Sequence, residues 1–300
     1  MPDIPPKPWP TGLAERVEPL VRRVLAPNPS PYTFTGTETY IVGAGGEVAV
    51  IDPGPAGSHA DTEGNGHVEA ILAAVGDAKV VAICCTHTHR DHSPAAAPLK
   101  AATGAPIIGC APLVLADSGP RADSAFDATY APDQILADGE RIASEGWTLE
   151  AVATPGHTSN HLCYALVESG ALFTGDHVMG WSTSVISPPD GDMAAYMASL
   201  NKLHDRDDRV YYPAHGPAVD NPRQLVRGLL GHRRQRERQI LKLLEEAPHE
   251  IVAMVPKMYK GLDPRLTGAA GRSVLAHLID LERQGRVARS GEAWTIANPS

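Results

Sequence analysis

The passage that most constrains this chain is the apolar run Lys79–Thr86 (KVVAICCT), which ends directly on His87-Thr88-His89-Arg90-Asp91-His92. A continuous apolar run that stops at polar residues is expected of a buried strand. The polar end carries four side chains able to bind a metal, His87, His89, Asp91 and His92, within six residues. Imidazole and carboxylate without thiolate suit zinc or a similar divalent ion, with iron and manganese as alternatives. A fold built around such a strand needs an open sheet edge beyond the strand end, which is where α/β folds assemble their sites.

Three further polar sites each follow an apolar stretch. Thr154-Pro155-Gly156-His157-Thr158 follows the strand candidate Trp147–Thr154, Thr174-Gly175-Asp176 follows Ala171–Thr174, and Pro213-Ala214-His215-Gly216 follows Val210–Tyr212. Glycine beside each polar residue lets the backbone approach a metal centre closely. A single histidine is more often structural than ligating. In this order, after the first cluster, the sites form one constellation.

The remaining pattern is that of a globular protein with a change of character near residue 220. Leu13–Leu25 is a helical candidate. Thr39–Gly43 and Glu47–Asp52 read as a hairpin around Ala44-Gly45-Gly46, and 54–66 reads as a polar loop. Helical spacing appears over His67–Val75, Ala95–Ala102 and Met193–His204. Leu162–Val167 and Ala171–Thr174 read as two strands. Asn221 and Pro222 suit the start of a long helix to about Glu246. Two more helical stretches follow, near Glu250–Tyr259 and Ser273–Gln284, and Arg286–Ile296 reads as a hairpin turning at Ser290-Gly291. Helices closed by a hairpin suggest a small winged-helix-like domain, giving domains 1–220 and 221–300. The first residues, MPDIPPKPWP, have no basic and apolar leader pattern, and no apolar run is long enough to span a membrane. Four cysteines without a CxxC pair suit a reducing, cytoplasmic setting.

The order THTHRDH, TPGHT, TGD, AHG resembles the metallo-β-lactamase superfamily over about residues 30–220. The resemblance implies an αβ/βα four-layer sandwich, α/β in class. It implies one zinc-class ion held by His87, His89 and His157 and a second held by Asp91, His92 and His215, with Asp176 bridging. It implies a hydrolase in which a metal-bridging hydroxide attacks the substrate, with Asp91 orienting that nucleophile and taking its proton. Asp52, in IDPG, resembles the family's early strand-end aspartate and is a candidate to support a ligand histidine from behind. His161 and His177 are expected to be either such supports or substrate-facing. The C-terminal part, PAHGPAVDNP followed by GHRRQRERQILKLLEE and the winged-helix-like tail, is similar to the β-lactamase-like protein 2 group, whose members include endoribonucleases and carrier-protein thioesterases.

Charge bears on the substrate. The net charge is −9, but residues 1–220 hold 12 Lys/Arg against 27 Asp/Glu, whereas residues 221–300 hold 14 against 8. The basic helix 222–246 carries Arg223, Arg227, Arg233, Arg234, Arg236, Arg238 and Lys242 and could track single-stranded RNA. The same arginines could instead pair internally or with a second subunit, which leaves a homo-oligomer open. The acidic body repels a polyanion, and aromatic residues that would stack bases are only 5% of the chain. A small-molecule ester, thioester or lactam is therefore the favoured substrate, with the loop Trp181–Asp192 as a pocket wall. An endoribonuclease and a winged-helix nucleic-acid-binding protein are the alternatives.

Overall fold

The computed structural model describes residues 4–57, 66–114 and 126–297. Most of the polar loop read at 54–66 lies outside the described residues. The chain forms two compact units. The first comprises 1–154, 160–183 and 207–222, and the second 155–159, 184–206 and 223–300.

The first unit is built on two five-stranded sheets. One runs in strand order β1 (Ala14–Glu18), β2 (Val21–Leu25), β3 (Glu38–Val42), β4 (Glu47–Ile51) and β5 (Lys79–Cys84). Helix α1 (His67–Val75) connects β4 to the parallel β5, as a parallel pair requires. After β5 come α2 (Ala96–Thr103) and a short parallel pair, β6 (Ile108–Gly109) with β7 (Gln134–Ile135). The other sheet contains β8 (Arg141–Ser144), β9 (Trp147–Ala153), β10 (Leu162–Leu166), β11 (Ala171–Gly175) and β12 (Val210–Pro213). Its order is β12-β11-β10-β9-β8, with β11 and β12 parallel.

One core joins both sheets to α1 and α2. It contains Ile41, Val50 and Ile83 from the first sheet, Leu149, Tyr164 and Phe173 from the second, and Ile71 and Leu99 from the helices. Strands β3, β10 and β11 are buried at every position, as expected of strands covered on both faces. Several polar ties cross between the sheets, among them two from buried aromatic side chains. The Trp147 indole N–H donates to Glu47 O at 3.0 Å, and the Tyr40 hydroxyl donates to Pro213 O at 2.7 Å.

Residues Leu13–Leu25 are not a helix but the antiparallel hairpin of β1 and β2. Pro19 sits at its turn, where a helix interior would lose a hydrogen bond and clash. Val21 and Val24 of β2 are completely buried. Strand β8, in a stretch to which the sequence pattern assigns no element, pairs with β9 around Glu145-Gly146, where Gly146 has φ +82°.

The second unit contains α3 (Met193–His204), α4 (Pro222–Glu246), β13 (His249–Glu250), α5 (Ile251–Met258), α6 (Thr267–Arg283), β14 (Val287–Ser290) and β15 (Ala293–Ile296). Pro222 does begin the long helix. The order β13-β15-β14 forms a small sheet beside α5 and α6, and Met254, Val274, Leu278, Leu281 and Trp294 share a core with Ile240 and Leu244 of α4. Arginines of this unit are used internally. Arg233 is 2% exposed, donates to Ser184 O and lies 5.0 Å from the Tyr196 ring centroid. Arg236 donates to Met258 O at 2.5 Å and lies 4.0 Å from the Tyr259 ring centroid. Arg223 donates to His204 O at 3.2 Å. Arg286 pairs with Glu237 at 2.5 Å. Among the described residues no helix is long and apolar enough to cross a membrane.

Trp147 is 1% exposed and spans the two sheets of the first unit. Trp147→Ala is expected to lower the unfolding free energy by about 3–5 kcal/mol, read as a shift of the urea midpoint.

Candidate metal centre

Strand β4 is followed directly by Asp52, a non-glycine residue with φ +48°. That turn aims a carboxylate that is 2% exposed back across the ends of β4 and β5. Its Oδ1 accepts from Thr86 N at 2.7 Å, and its Oδ2 accepts from Thr86 Oγ1 at 2.8 Å. The same Oδ2 lies 3.0 Å from His92 Nδ1, which donates to it and leaves Nε2 as that ring's ligand atom. The segment after β5 folds into a tight turn, with His92 N donating to His89 O at 3.0 Å and Gly54 N to His92 O at 2.8 Å. Local backbone bonding therefore gathers residues 87–92 at the strand end.

The rings of His87, His92, His157 and His215 are each oriented by an outer partner, the arrangement that metal-binding histidines require. The Thr86 hydroxyl, already donating to Asp52, lies 3.0 Å from His87 Nδ1 and accepts from it. This directs His87 Nε2 toward His89 Nδ1, 2.9 Å away. His215 Nδ1 donates to Gly36 O at 3.1 Å, so its Nε2 faces the carboxylates. His157 stands on the turn joining β9 to β10, and its Nδ1 donates to Val185 O at 2.6 Å.

Two groups of donor atoms result. His87, His89 and Asp176 each bring a ligand atom within 4.8 Å of one another, as do Asp91, His92 and His215. Asp176 also faces the second group. Its Oδ1 lies 3.5 Å from His92 Nε2 and 3.3 Å from His215 Nε2. Asp91 Oδ2 lies 3.6 Å and 3.2 Å from the same two nitrogens. Both Nε2 atoms are buried and make no well-aligned hydrogen bond among the described residues.

The electrostatics favour positive charge at this point. Burial opposes the imidazolium of His92, yet Asp91, Asp176 and Asp52 together raise its pKa well above the ordinary histidine value. His215 is raised too, Asp176 and Asp91 outweighing its burial. Burial would raise the Asp91 carboxyl, but His92 and His215 hold it well below the usual carboxylate range. A cluster that holds protons this firmly, with oriented imidazoles and no thiolate, fits divalent cations in their place.

His161 and His177 lie behind these donors, 1% and 0% exposed. His161 Nδ1 lies 2.9 Å from Thr154 Oγ1, and its ring stacks on His87 with centroids 5.2 Å apart. The His177 ring lies 5.7 Å from that of His161. The sequence pattern did not single out Thr86 or Gly36 as supports. Thr86 could have been found, since it directly precedes the cluster. The Gly36 carbonyl has no sequence signal. Gly175 is required beside them, because it has φ +49° and a Cβ there would sit 2.6 Å from Thr86 Oγ1.

The comparisons agree with this architecture. The family described as Metallo-beta-lactamase superfamily matches residues 32–215, and the Beta-lactamase associated winged helix domain matches residues 251–294. The Beta-lactamase-like protein 2 homolog of Drosophila melanogaster is 32% identical over 298 residues, covering 93% of this chain and 93% of that protein. An Atrochrysone carboxyl ACP thioesterase of Aspergillus fumigatus is 33% identical over 237 residues, covering 78% of this chain and 68% of that protein. Among solved structures, a beta-lactamase domain protein from Burkholderia ambifaria superposes with a TM-score of 0.81 at 21% identity, covering 96% of this chain and 94% of that one. The fold implies a dinuclear metal site, and the His/Asp groups lie where strand ends converge. The chain belongs to the metallo-beta-lactamase superfamily and is a hydrolase of that family with an associated winged-helix domain.

Proposed function

We propose that the protein is a dinuclear, zinc-dependent hydrolase of a small-molecule ester, thioester or lactam, with a thioester favoured. In this reading His87, His89 and His157 hold one ion, Asp91, His92 and His215 hold the other, and Asp176 serves both. The observation that carries it is the convergence of the Asp176 and Asp91 carboxylates on the buried Nε2 atoms of His92 and His215. Oxygen and imidazole donors suit zinc, with iron or manganese as alternatives. When bound, such a pair supplies a water of lowered pKa and positive charge opposite a developing oxyanion.

The chain's own residues do the rest. Asp91 is ionised, its side chain is 28% exposed, and it can orient the attacking water and accept its proton. Asp52 keeps His92 in the tautomer that presents Nε2. His161 and His177 are buried too deeply to meet substrate and act as supports. The relative named as an ACP thioesterase favours an acyl thioester. The four cysteines, all free and buried, support a cytoplasmic setting.

A second reading, single-strand-selective endoribonuclease, is favoured by one observation. Arg227, Arg234, Arg238 and Lys242 are exposed at helical spacing on α4, over about 22 Å. Against it, Arg223, Arg233 and Arg236 of the same helix already bond carbonyls of their own unit, so fewer cations remain for phosphates.

Asp176→Ala and His89→Ala should each lower bound metal, measured by mass spectrometry of the purified proteins. Unchanged content in both would remove the ligand assignment. Asp52→Ala should weaken metal affinity about 10–100-fold. Affinity should also fall as pH is lowered, because the protons held on His92 and His215 compete with the cation. A flat affinity between pH 8 and 6 would contradict this. The zinc-loaded protein should cleave an acyl thioester and lose that activity in Asp91→Ala. Cleavage of labelled single-stranded RNA instead, also lost in the variant, would select the endoribonuclease.

A further inference from the structure

The first unit holds a cavity of about 340 Å3, within the range of small-molecule sites. The N-terminal arm, through Trp9 and Leu13, forms one wall, and Leu25 and Phe34 form another. Gly216 and Pro217, which directly follow His215, also line it. Phe34 and Thr35 line it immediately before Gly36, whose carbonyl accepts the hydrogen bond from His215 Nδ1. The cavity therefore shares its backbone wall with the candidate metal centre.

Its polar content is small and uneven. Arg23 bonds Glu15 at 2.8 and 3.0 Å and reaches Glu38 Oε1 at 3.5 Å. Glu38 is 5% exposed, and its Oε2 is buried with no hydrogen-bond partner among the described residues. A buried acceptor without a partner is costly unless something donates to it. Two acidic side chains face one arginine here, so an anionic group is disfavoured, while the prolines, Trp9, Leu13, Leu25 and Phe34 favour an apolar body.

We propose that this cavity seats the non-reacting part of the substrate, an uncharged apolar group bearing a hydroxyl or amide N–H that donates to Glu38 Oε2. Its place as a substrate site rests on the hydrolase reading above, whereas its ligand preference does not.

The test is calorimetric titration of the metal-free full-length chain at pH 7.5 with 2-naphthol, 2-methylnaphthalene and 2-naphthoate. Saturable 2-naphthol binding is expected, about tenfold tighter than 2-methylnaphthalene, with 2-naphthoate weaker still. Glu38→Gln should keep 2-naphthol within about threefold and relieve the rejection of 2-naphthoate. Leu13→Trp, at a position 57% exposed on the rim, should weaken 2-naphthol by about tenfold or more by filling the cavity. Equal affinity for 2-naphthol and 2-methylnaphthalene, no saturable binding, or no effect of Leu13→Trp would each overturn the proposal. In the metal-loaded enzyme, 2-naphthol should compete with the thioester, and turnover indifferent to it would detach the cavity from the substrate and overturn the assignment. Absence of turnover alongside discriminating binding would defeat the hydrolase reading while leaving the ligand preference in place.

Discussion

The centre depends on the two oxygens of Asp52. A carboxylate buried at the end of β4 would be costly if it had no partners. It is satisfied by the Thr86 amide, the Thr86 hydroxyl and the His92 ring. Those three bonds join the parallel strands β4 and β5 at their carboxyl ends and turn His92 toward the centre. The Thr86 hydroxyl passes the constraint on to His87. A single side chain thus sets the tautomer of one imidazole directly and of a second through one intermediary. Its left-handed backbone belongs to the same arrangement, since strained φ values persist where surrounding bonds over-determine them.

The donor residues were legible in the sequence because they cluster just past apolar runs, and five of the seven, His87, His89, His157, Asp176 and His215, stand beside a glycine or a threonine. Strands covered on both faces write themselves as such runs, so β5, β10 and β11 and their polar ends were readable together. The hairpin at Ala14–Leu25 was not, because Val17, Val21 and Val24 fall at helical spacing rather than in strand alternation, and only Pro19 argues against a helix. Supports made by backbone, such as the carbonyls of Gly36 and Val185, carry no residue-type signal. The Glu38 cavity was invisible for another reason: the residues around it come from four separate stretches between Pro5 and Pro217.

The charge asymmetry has a physical resolution inside the second unit. A count of cations along α4 suggests one basic surface, but helix geometry divides them. Arg233 and Arg236 face inward, where aromatic rings and carbonyl oxygens receive them. Arginine suits this role because its planar, weakly hydrated head stacks and donates at once. The exposed remainder is a narrower stripe than composition implies.

The spacing of the donors along the chain also affects how a metal ion acts on the denatured protein. Four of the seven proposed ligands, His87, His89, Asp91 and His92, lie within six residues, and they stay near one another even when the chain is denatured. An unfolded molecule therefore keeps part of the chelate, and an ion that binds both states stabilises the folded one only by the difference. That difference comes from His157, Asp176 and His215, which folding must bring from 65 or more residues away. Ion uptake and thermal protection are thus separate quantities here, and a tightly held ion can raise the melting temperature less than its affinity alone would indicate.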